Sequence, residues 1–381
     1  MFNIFYQKYL DTLQHTYKYR KLVNNFDAKQ SYIDFASNDY LCLSNNPQLL
    51  LSATEAATKY GVGATGSRLL SGNFDLFRQF ESRIAQDKNM ESALIFNSGF
   101  QTNFSVLSSL LDQKVLHTKP IVFFDRLNHS SLYQAIFLSG AELIRYRHND
   151  MQHLSDILHK HQHKNRPKFI VTETIFGMDG DVLQIKDIVN LARQYSAFLY
   201  LDEAHATGMV GHNGYGISTL VNLHDLPCLV MGTFSKALGV SGGYIACSQT
   251  IRNYIINRAP GFIYSTANSP LVIGAAFKAW QLIKTLSLTR DLIASNADYL
   301  RHNVKKLGLN IGLSSTNIVP IIIGKEEMVI KANQLLLNDG IIASCIRPPT
   351  VPLGTSRLRV ALNAKHTKQD IDKLIAVLKR V

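Results

Sequence analysis

Apolar runs that alternate with helical stretches predict an α/β fold, a mostly parallel sheet between helices followed by a smaller α+β region. Short continuous apolar runs recur at residues 93–96, 121–124, 169–172, 198–201, 229–232 and 244–247. Strands that are apolar at every residue belong in a sheet covered on both faces. Between the runs lie stretches with helical spacing, such as 102–111 and 187–195. Strand–helix alternation of this kind is what a parallel sheet requires. Beyond about Asn268 the pattern changes to two long helical stretches and a few strands, which mark the smaller region.

In chain order, Phe2, Phe5, Tyr9, Leu13 and Tyr17 are spaced three or four apart and predict an amphipathic helix. A short extended piece follows at 33–36. Residues 47–60 start on a proline and stop before Gly61, the expected punctuation of a helix. Phe74, Phe77, Phe80 and Ile84 form one face of the next helix. At the carboxyl end, Ile371, Leu374 and Leu378 share a face of a helix over 367–379.

Composition narrows the field. The chain has 381 residues, about two domains at roughly 150 residues each. With 46% hydrophobic and 18% charged residues it can bury a large core. No apolar run approaches the ~20 residues that cross a bilayer, and Lys8 and Asp11 fall where the apolar core of a secretory leader would sit. Cys42, Cys228, Cys247 and Cys345 stand far apart and predict buried thiols in a reducing, cytoplasmic compartment. A formal charge of +12 attracts anions, whether a solvated basic surface or a binding face. His153, His159, His161 and His163 lie among lysines and read as a solvated helix end, since no carboxylate follows Asp156 to complete a metal site. No metal is expected.

Polar groups gather where the predicted strands end, the place where open α/β sheets bind ligands. Asp202-Glu-Ala-His205-Ala-Thr-Gly208 puts a carboxylate and an imidazole just past one strand. Thr233-Phe-Ser235-Lys236-Ala-Leu-Gly239 adds two hydroxyls and a lysine past another. Asn97-Ser98-Gly99-Phe100 closes a third and opens a helix whose backbone N–H groups can hold an anion. Asp125-Arg-Leu-Asn-His129-Ser130 closes a fourth. Singly, each has a plain structural reading as a cap, a turn or a surface charge. Together, an anion cradle, a carboxylate, an imidazole and a lysine able to form a Schiff base fit pyridoxal 5'-phosphate.

These motifs, with Ser37-Asn38-Asp39-Tyr40-Leu41 and Gly61-Val-Gly-Ala-Thr-Gly66-Ser67-Arg68, resemble the α-oxoamine synthases over essentially the whole chain. That family of fold-type I pyridoxal-phosphate enzymes joins an amino acid to an acyl thioester with loss of carbon dioxide. The resemblance implies a large domain with a mostly parallel sheet of the seven-stranded type. It divides the chain into an N-terminal arm at 1–45, a pyridoxal-phosphate-binding domain at 46–268 and a small domain at 269–381. The segment Ile346-Arg347-Pro-Pro-Thr350 through Arg359 resembles the member that acts in biotin synthesis on L-alanine and a pimeloyl thioester. The thioester is pimeloyl-CoA or pimeloyl-acyl carrier protein, and the family works as a homodimer. Glycine, serine or another acyl group would define a sister enzyme. An aminotransferase of the same fold would use the same lysine and carboxylate. A basic nucleic-acid-binding protein would account for the charge, but no reading helix is recognisable.

By the same resemblance, Lys236 forms the Schiff base and moves protons, and Asp202 faces the ring nitrogen. His129 stacks on the ring, and His205 bonds the ring oxygen. Gly99, Phe100 and Thr233 hold the phosphate, joined by Thr266 of the neighbouring subunit. Arg359 grips the amino-acid carboxylate, for which a planar bidentate donor is better suited than lysine. Arg20 and Thr350 meet substrate, and Asn38 lies near the site. Two departures stand out. The family has Ser at the position of Gly177, which has no hydroxyl to offer the cofactor, and Gly at the position of Cys42.

Overall fold

The computed structural model describes residues 2–22 and 32–381, and residues 23–31 of the expected N-terminal arm lie outside them. The strands in chain order are β1 (Ile33–Asp34), β2 (Ser92–Phe96), β3 (Ile121–Asp125), β4 (Glu142–Tyr146), β5 (Lys168–Glu173), β6 (Phe198–Asp202), β7 (Cys228–Thr233), β8 (Gly243–Cys247), β9 (Ile318–Gly324), β10 (Ile341–Ile342), β11 (Ser344–Ile346) and β12 (Ser356–Ala361). They build a seven-stranded sheet of order β2-β8-β7-β6-β5-β3-β4, a three-stranded sheet β11-β12-β9 and the pair β1-β10. In the large sheet only β8 runs against its neighbours.

Every apolar run expected to be a strand is one. β4 was not expected: it is a half-exposed edge strand whose Glu142 and Arg145 interrupt the apolar run. One face of the large sheet presents Val122, Phe124, Val171, Tyr200, Leu229 and Met231. Leu107 and Leu110 of the helix Gly99–Leu110, and Leu132 and Ile136 of the helix Ser130–Ser139, pack against that face. The helix Ile185–Gln194 buries Ile185, Ile188, Val189 and Ala192, the spacing of a single helical face. Burying each of the larger three contributes about 1.5–3 kcal/mol.

The chain divides into two compact units. One comprises Asn38–Phe176 and Val182–Arg290; the other comprises the described residues of Met1–Ser37 with Gly177–Asp181 and Asp291–Val381. This division differs from the expected boundaries at 45 and 268, and two contacts underlie the difference. β1 pairs with β10 and carries the amino-terminal segment into the smaller unit. The helix Pro270–Ile283 lies along Pro47–Tyr60 so closely that a Cβ on Gly274 would stand 2.5 Å from the Ser52 carbonyl oxygen.

Two other expectations are modified. The first helix forms at Asn3–His15, yet Phe2, Phe5 and Tyr9 on its apolar face are exposed in the single chain. Of the four thiols, Cys228 and Cys247 are buried while Cys42 and Cys345 are half-buried. The backbone of Cys42 takes φ +54°, the left-handed conformation that glycine adopts without strain. That accounts for the glycine usual at this position. In the histidine-rich segment, His153 accepts the Arg147 backbone N–H at 2.9 Å and so secures the start of its own helix. No single helix among the described residues is long and apolar enough to cross a membrane.

Candidate active site

In the larger unit, Asp202 ends β6 with its carboxylate buried. Its Oδ1 accepts the Ala204 backbone N–H at 2.8 Å, and its Oδ2 accepts Asn103 Nδ2 at 2.7 Å. His205, three residues on, is buried, and its Nδ1 pairs with the Tyr40 hydroxyl at 2.8 Å. The same hydroxyl donates to Asn38 Oδ1 at 3.1 Å, which joins Asn38 to the cluster. Lys236 lies half-buried in the loop after β7.

His129 caps the helix Ser130–Ser139. Asn128 ties the preceding loop to β5: its amide nitrogen donates to the Val171 carbonyl at 2.8 Å, and its oxygen accepts the Glu173 N–H at 3.1 Å. Burial is the largest influence on the His129 imidazole and lowers its pKa. The Asp202 carboxylate opposes that shift and the Lys236 ammonium adds to it. Asp202 and Lys236, each following a strand end, thus both bear on the His129 imidazole.

Glycines set how closely the loops approach. A Cβ on Gly208, at φ +91°, would stand 2.6 Å from the Ala237 Cβ, and one on Gly239, at φ +67°, would stand 2.5 Å from the Ser44 backbone nitrogen. Neither position tolerates a side chain, so the loops 38–44, 202–208 and 233–239 interlock. Beneath them Lys88 and Glu203 form an ion pair with both side chains wholly buried. Ser218 N–H adds a 2.6 Å bond to Glu203 Oε1.

The expected anion cradle falls at the first turn of the helix Gly99–Leu110. Ser98 is its N-cap, accepting Gln101 N–H at 3.2 Å. The backbone N–H groups of Gly99 and Phe100 stand in the first turn, where a helix supplies no acceptor of its own. A Cβ on Gly99 would lie 3.3 Å from Thr233 Oγ1, so the hydroxyl borders the cradle. Thr233 is also committed elsewhere: it donates to the Gly242 carbonyl at 2.7 Å, and its oxygen lies 2.8 Å from Ser235 Oγ. Thr266 is exposed, and its carbonyl accepts Asn97 Nδ2 at 2.7 Å. Even within one chain it is held next to the cradle. A helix start with room for a phosphate at the first-turn N–H groups, a buried carboxylate and a lysine after the neighbouring strand together fit pyridoxal phosphate.

The smaller unit holds the remaining three. Arg359 on β12 is buried and donates from Nε to the Gly177 carbonyl at 2.5 Å. Arg357, two residues earlier, pairs with Asp179 Oδ1 at 2.6 Å. Gly177 thus contributes its backbone carbonyl, which any residue at this position would offer, and no side-chain hydroxyl. Arg20 Nη2 donates to Thr350 Oγ1 at 3.3 Å, and Arg347 Nη2 donates to the Tyr19 carbonyl at 3.3 Å. The amino-terminal segment and the Arg-Pro-Pro-Thr turn are thereby joined.

Asn103, Ser131, Tyr200, Tyr40 and the Lys88–Glu203 pair were not found from sequence. Periodicity offered a signal for two of them: Asn103 is one helical turn after Gly99, and Tyr200 shares a strand face with Asp202.

Residues 30–378 match the family described as aminotransferase class I and II, and the chain belongs to that family of fold-type I pyridoxal-phosphate transferases. Within it, the chain is similar to the 8-amino-7-oxononanoate synthases. It is 43% identical to the 8-amino-7-oxononanoate synthase of Gluconacetobacter diazotrophicus over 350 residues, 91% of this chain and 87% of that one. It is likewise 43% identical to a protein of Magnetococcus marinus named as a putative enzyme of that kind, over 91% of this chain and 88% of the relative. Among solved structures, the 8-amino-7-oxononanoate synthase of Francisella tularensis superposes with TM-score 0.79 at 27% identity, covering 92% and 97% of the two chains. A lysine-to-alanine variant of a serine palmitoyltransferase from S. paucimobilis, with a bound PLP–myriocin aldimine, gives TM-score 0.85 at 27% identity, covering 92% and 87%.

Proposed function

We infer that the chain is an 8-amino-7-oxononanoate synthase, condensing L-alanine with a pimeloyl thioester and releasing carbon dioxide and the free thiol. The observation that carries the reading is the meeting of His129, Asp202 and Lys236 at three strand ends beside the Gly99 helix start. Relatives of the same name at 43% identity support it.

Pyridoxal phosphate, when bound, supplies an aldehyde that condenses with amines and a ring that withdraws electrons from the amino-acid α-carbon. The N–H groups of Gly99 and Phe100 would hold its phosphate, with the Thr233 hydroxyl beside them and Thr266 supplied by a second subunit. Asp202 would hold the cofactor by its ring nitrogen and keep that nitrogen protonated, with His129 and His205 as further residues that would hold the ring. Arg359, its Nε occupied by the Gly177 carbonyl, offers its terminal nitrogens to the alanine carboxylate. Lys236 would hold the cofactor as a Schiff base and, once released by alanine, would take the α-proton and later return one. The α-carbon bonds to the thioester carbonyl, the C–S bond breaks as the thiol leaves, and carbon dioxide departs from the former carboxylate. Arg20 and Thr350 receive the acyl chain. The basic surplus steers an anionic thioester, whether coenzyme A or an acidic carrier protein. The protein acts as a homodimer in the cytoplasm.

The test offers the cofactor-loaded protein L-alanine, glycine and L-serine with both pimeloyl thioesters and reads product mass. The alanine-derived amino ketone is expected, and Lys236→Ala should abolish it. A glycine or serine product would move the chain to a sister synthase. Keto-acid consumption without thiol release would make it an aminotransferase.

A further inference from the structure

Behind the cofactor residues, buried polar side chains form one continuous chain of hydrogen bonds. Tyr200, Asn103 and Ser131 are at most 2% exposed, and none has a role in the function assigned above. The Tyr200 hydroxyl donates to Asn103 Oδ1 at 2.8 Å. The Asn103 amide nitrogen gives one hydrogen to Asp202 Oδ2 at 2.7 Å and the other to Ser131 Oγ at 3.0 Å. Ser131 Oγ lies 2.7 Å from His129 Nδ1, and the Ser131 backbone N–H points at the same ring nitrogen at 3.3 Å.

Chemistry fixes the direction of each bond. Burial, reinforced by the Asp202 charge, pushes the Tyr200 phenol well above its usual value, so it stays protonated and donates. That occupies the Asn103 oxygen and turns the nitrogen toward Asp202. The reversed amide would set oxygen against carboxylate. Ser131 Oγ accepts from Asn103 and keeps its own hydrogen for His129. A backbone N–H cannot accept, so Nδ1 must present a lone pair.

We propose that Asn103 and Ser131 are positioning residues that hold His129 as the neutral tautomer protonated on Nε2 while presenting a donor to Asp202. The proposal rests on the reading that the site takes pyridoxal phosphate. A neutral imidazole can lie on a ring whose nitrogen is protonated, whereas an imidazolium would repel it. One amide thereby serves a carboxylate that must stay charged and an imidazole that must stay neutral. The charged groups facing His129 from neighbouring elements are Asp202 after β6, Lys236 after β7 and Glu173 on β5, whose carboxylate accepts the His129 backbone N–H. The lowered His129 pKa runs in the same direction.

The test is nitrogen NMR of histidine-labelled full-length protein, with and without pyridoxal phosphate, the His129 signal being identified by its loss in His129→Gln. The wild type should show a protonated Nε2 and a bare Nδ1 throughout the neutral range. Ser131→Ala, which removes the hydroxyl and keeps the backbone, should give mixed tautomers and raise the titration toward an ordinary histidine. Asn103→Leu, which fills the amide's volume, should do the same and loosen cofactor binding about tenfold. A proton on Nδ1 in the wild type, or an unchanged tautomer in both variants, would overturn the proposal. Failure of the wild type to bind pyridoxal phosphate would instead overturn the reading of the site. It is seen in absorbance and not in nitrogen shifts, so the two failures are distinct.

Discussion

Glu203, the residue immediately after Asp202, is paired with Lys88 across 115 positions of sequence, and both side chains are wholly inaccessible to solvent. The pair also binds the Tyr215 carbonyl and the Ser218 hydroxyl, closing a polar knot beneath the loop that carries Asp202 and His205.

Removing one partner strands the other charge. Glu203→Gln should lower unfolding free energy by about 3–5 kcal/mol. The double variant Lys88→Met, Glu203→Leu should recover most of that loss, because no unpaired charge remains. Urea denaturation of the three proteins decides it; a loss under about 1 kcal/mol in the single variant would mean that the pair holds nothing in place.

Arg359→Lys keeps the charge but loses both the bond to Gly177 and the planar fork. We expect kcat/KM for the amino acid to fall about 10–100-fold while KM for the thioester holds steady, the signature of a lost charge-assisted pair worth about 1.5–3 kcal/mol. Steady-state kinetics varying each substrate separately checks it. Equal losses for both substrates would place Arg359 elsewhere in the cycle.

Cys42→Gly should stabilise the protein by up to about 1 kcal/mol, since the left-handed backbone at φ +54° is strained for any residue with a Cβ. Cys42→Ala retains the strain and should show no gain. Thermal melts of the two variants side by side distinguish relief of strain from loss of the thiol.

His366 links acid to unfolding. Its Nδ1 accepts the Asn363 N–H at 3.0 Å, its Nε2 bonds the Asp34 carbonyl at 3.0 Å, and its ring stacks on Phe35 at 4.0 Å. Burial lowers its pKa below the ordinary 6.5. The folded form therefore binds fewer protons than the unfolded form between the two values. Stability from this group is complete above about pH 6.5 and falls as pH drops toward the folded value. His366→Gln should be less stable at neutral pH and flatten the acid limb of a stability–pH curve; an unchanged limb would assign that dependence to other groups.

The parallel core was legible because fully buried strands leave unbroken apolar runs. β4 escaped because an edge strand needs one apolar face only. β9 carries Pro320 in its middle, a residue that normally argues against a strand, yet it sits at the edge of its sheet where the missing N–H is tolerated. The candidate site was legible in the same uneven way. Lys236, Asp202, His205 and His129 follow strand ends and so announced themselves. Asn103 and Ser131 lie near the starts of helices, where an amide or a hydroxyl has an ordinary capping or surface reading and only the fold joins the two to Asp202 and His129. Glu203 and Lys88 are joined only by the fold, and nothing in their local sequence marks them as partners.

Gly208 resting on Ala237 and Gly239 resting on Ser44 bear on how such an enzyme can be re-engineered. Loops in van der Waals contact at these two points cannot be varied one at a time, because an enlarged residue in one displaces the side chains carried by the others. A mutational library aimed at new acyl thioesters should treat 38–44, 202–208 and 233–239 as a single inherited block. Diversity is better directed to the Arg347–Thr350 turn and its contact with Arg20, where the exposed Thr350 has room to change.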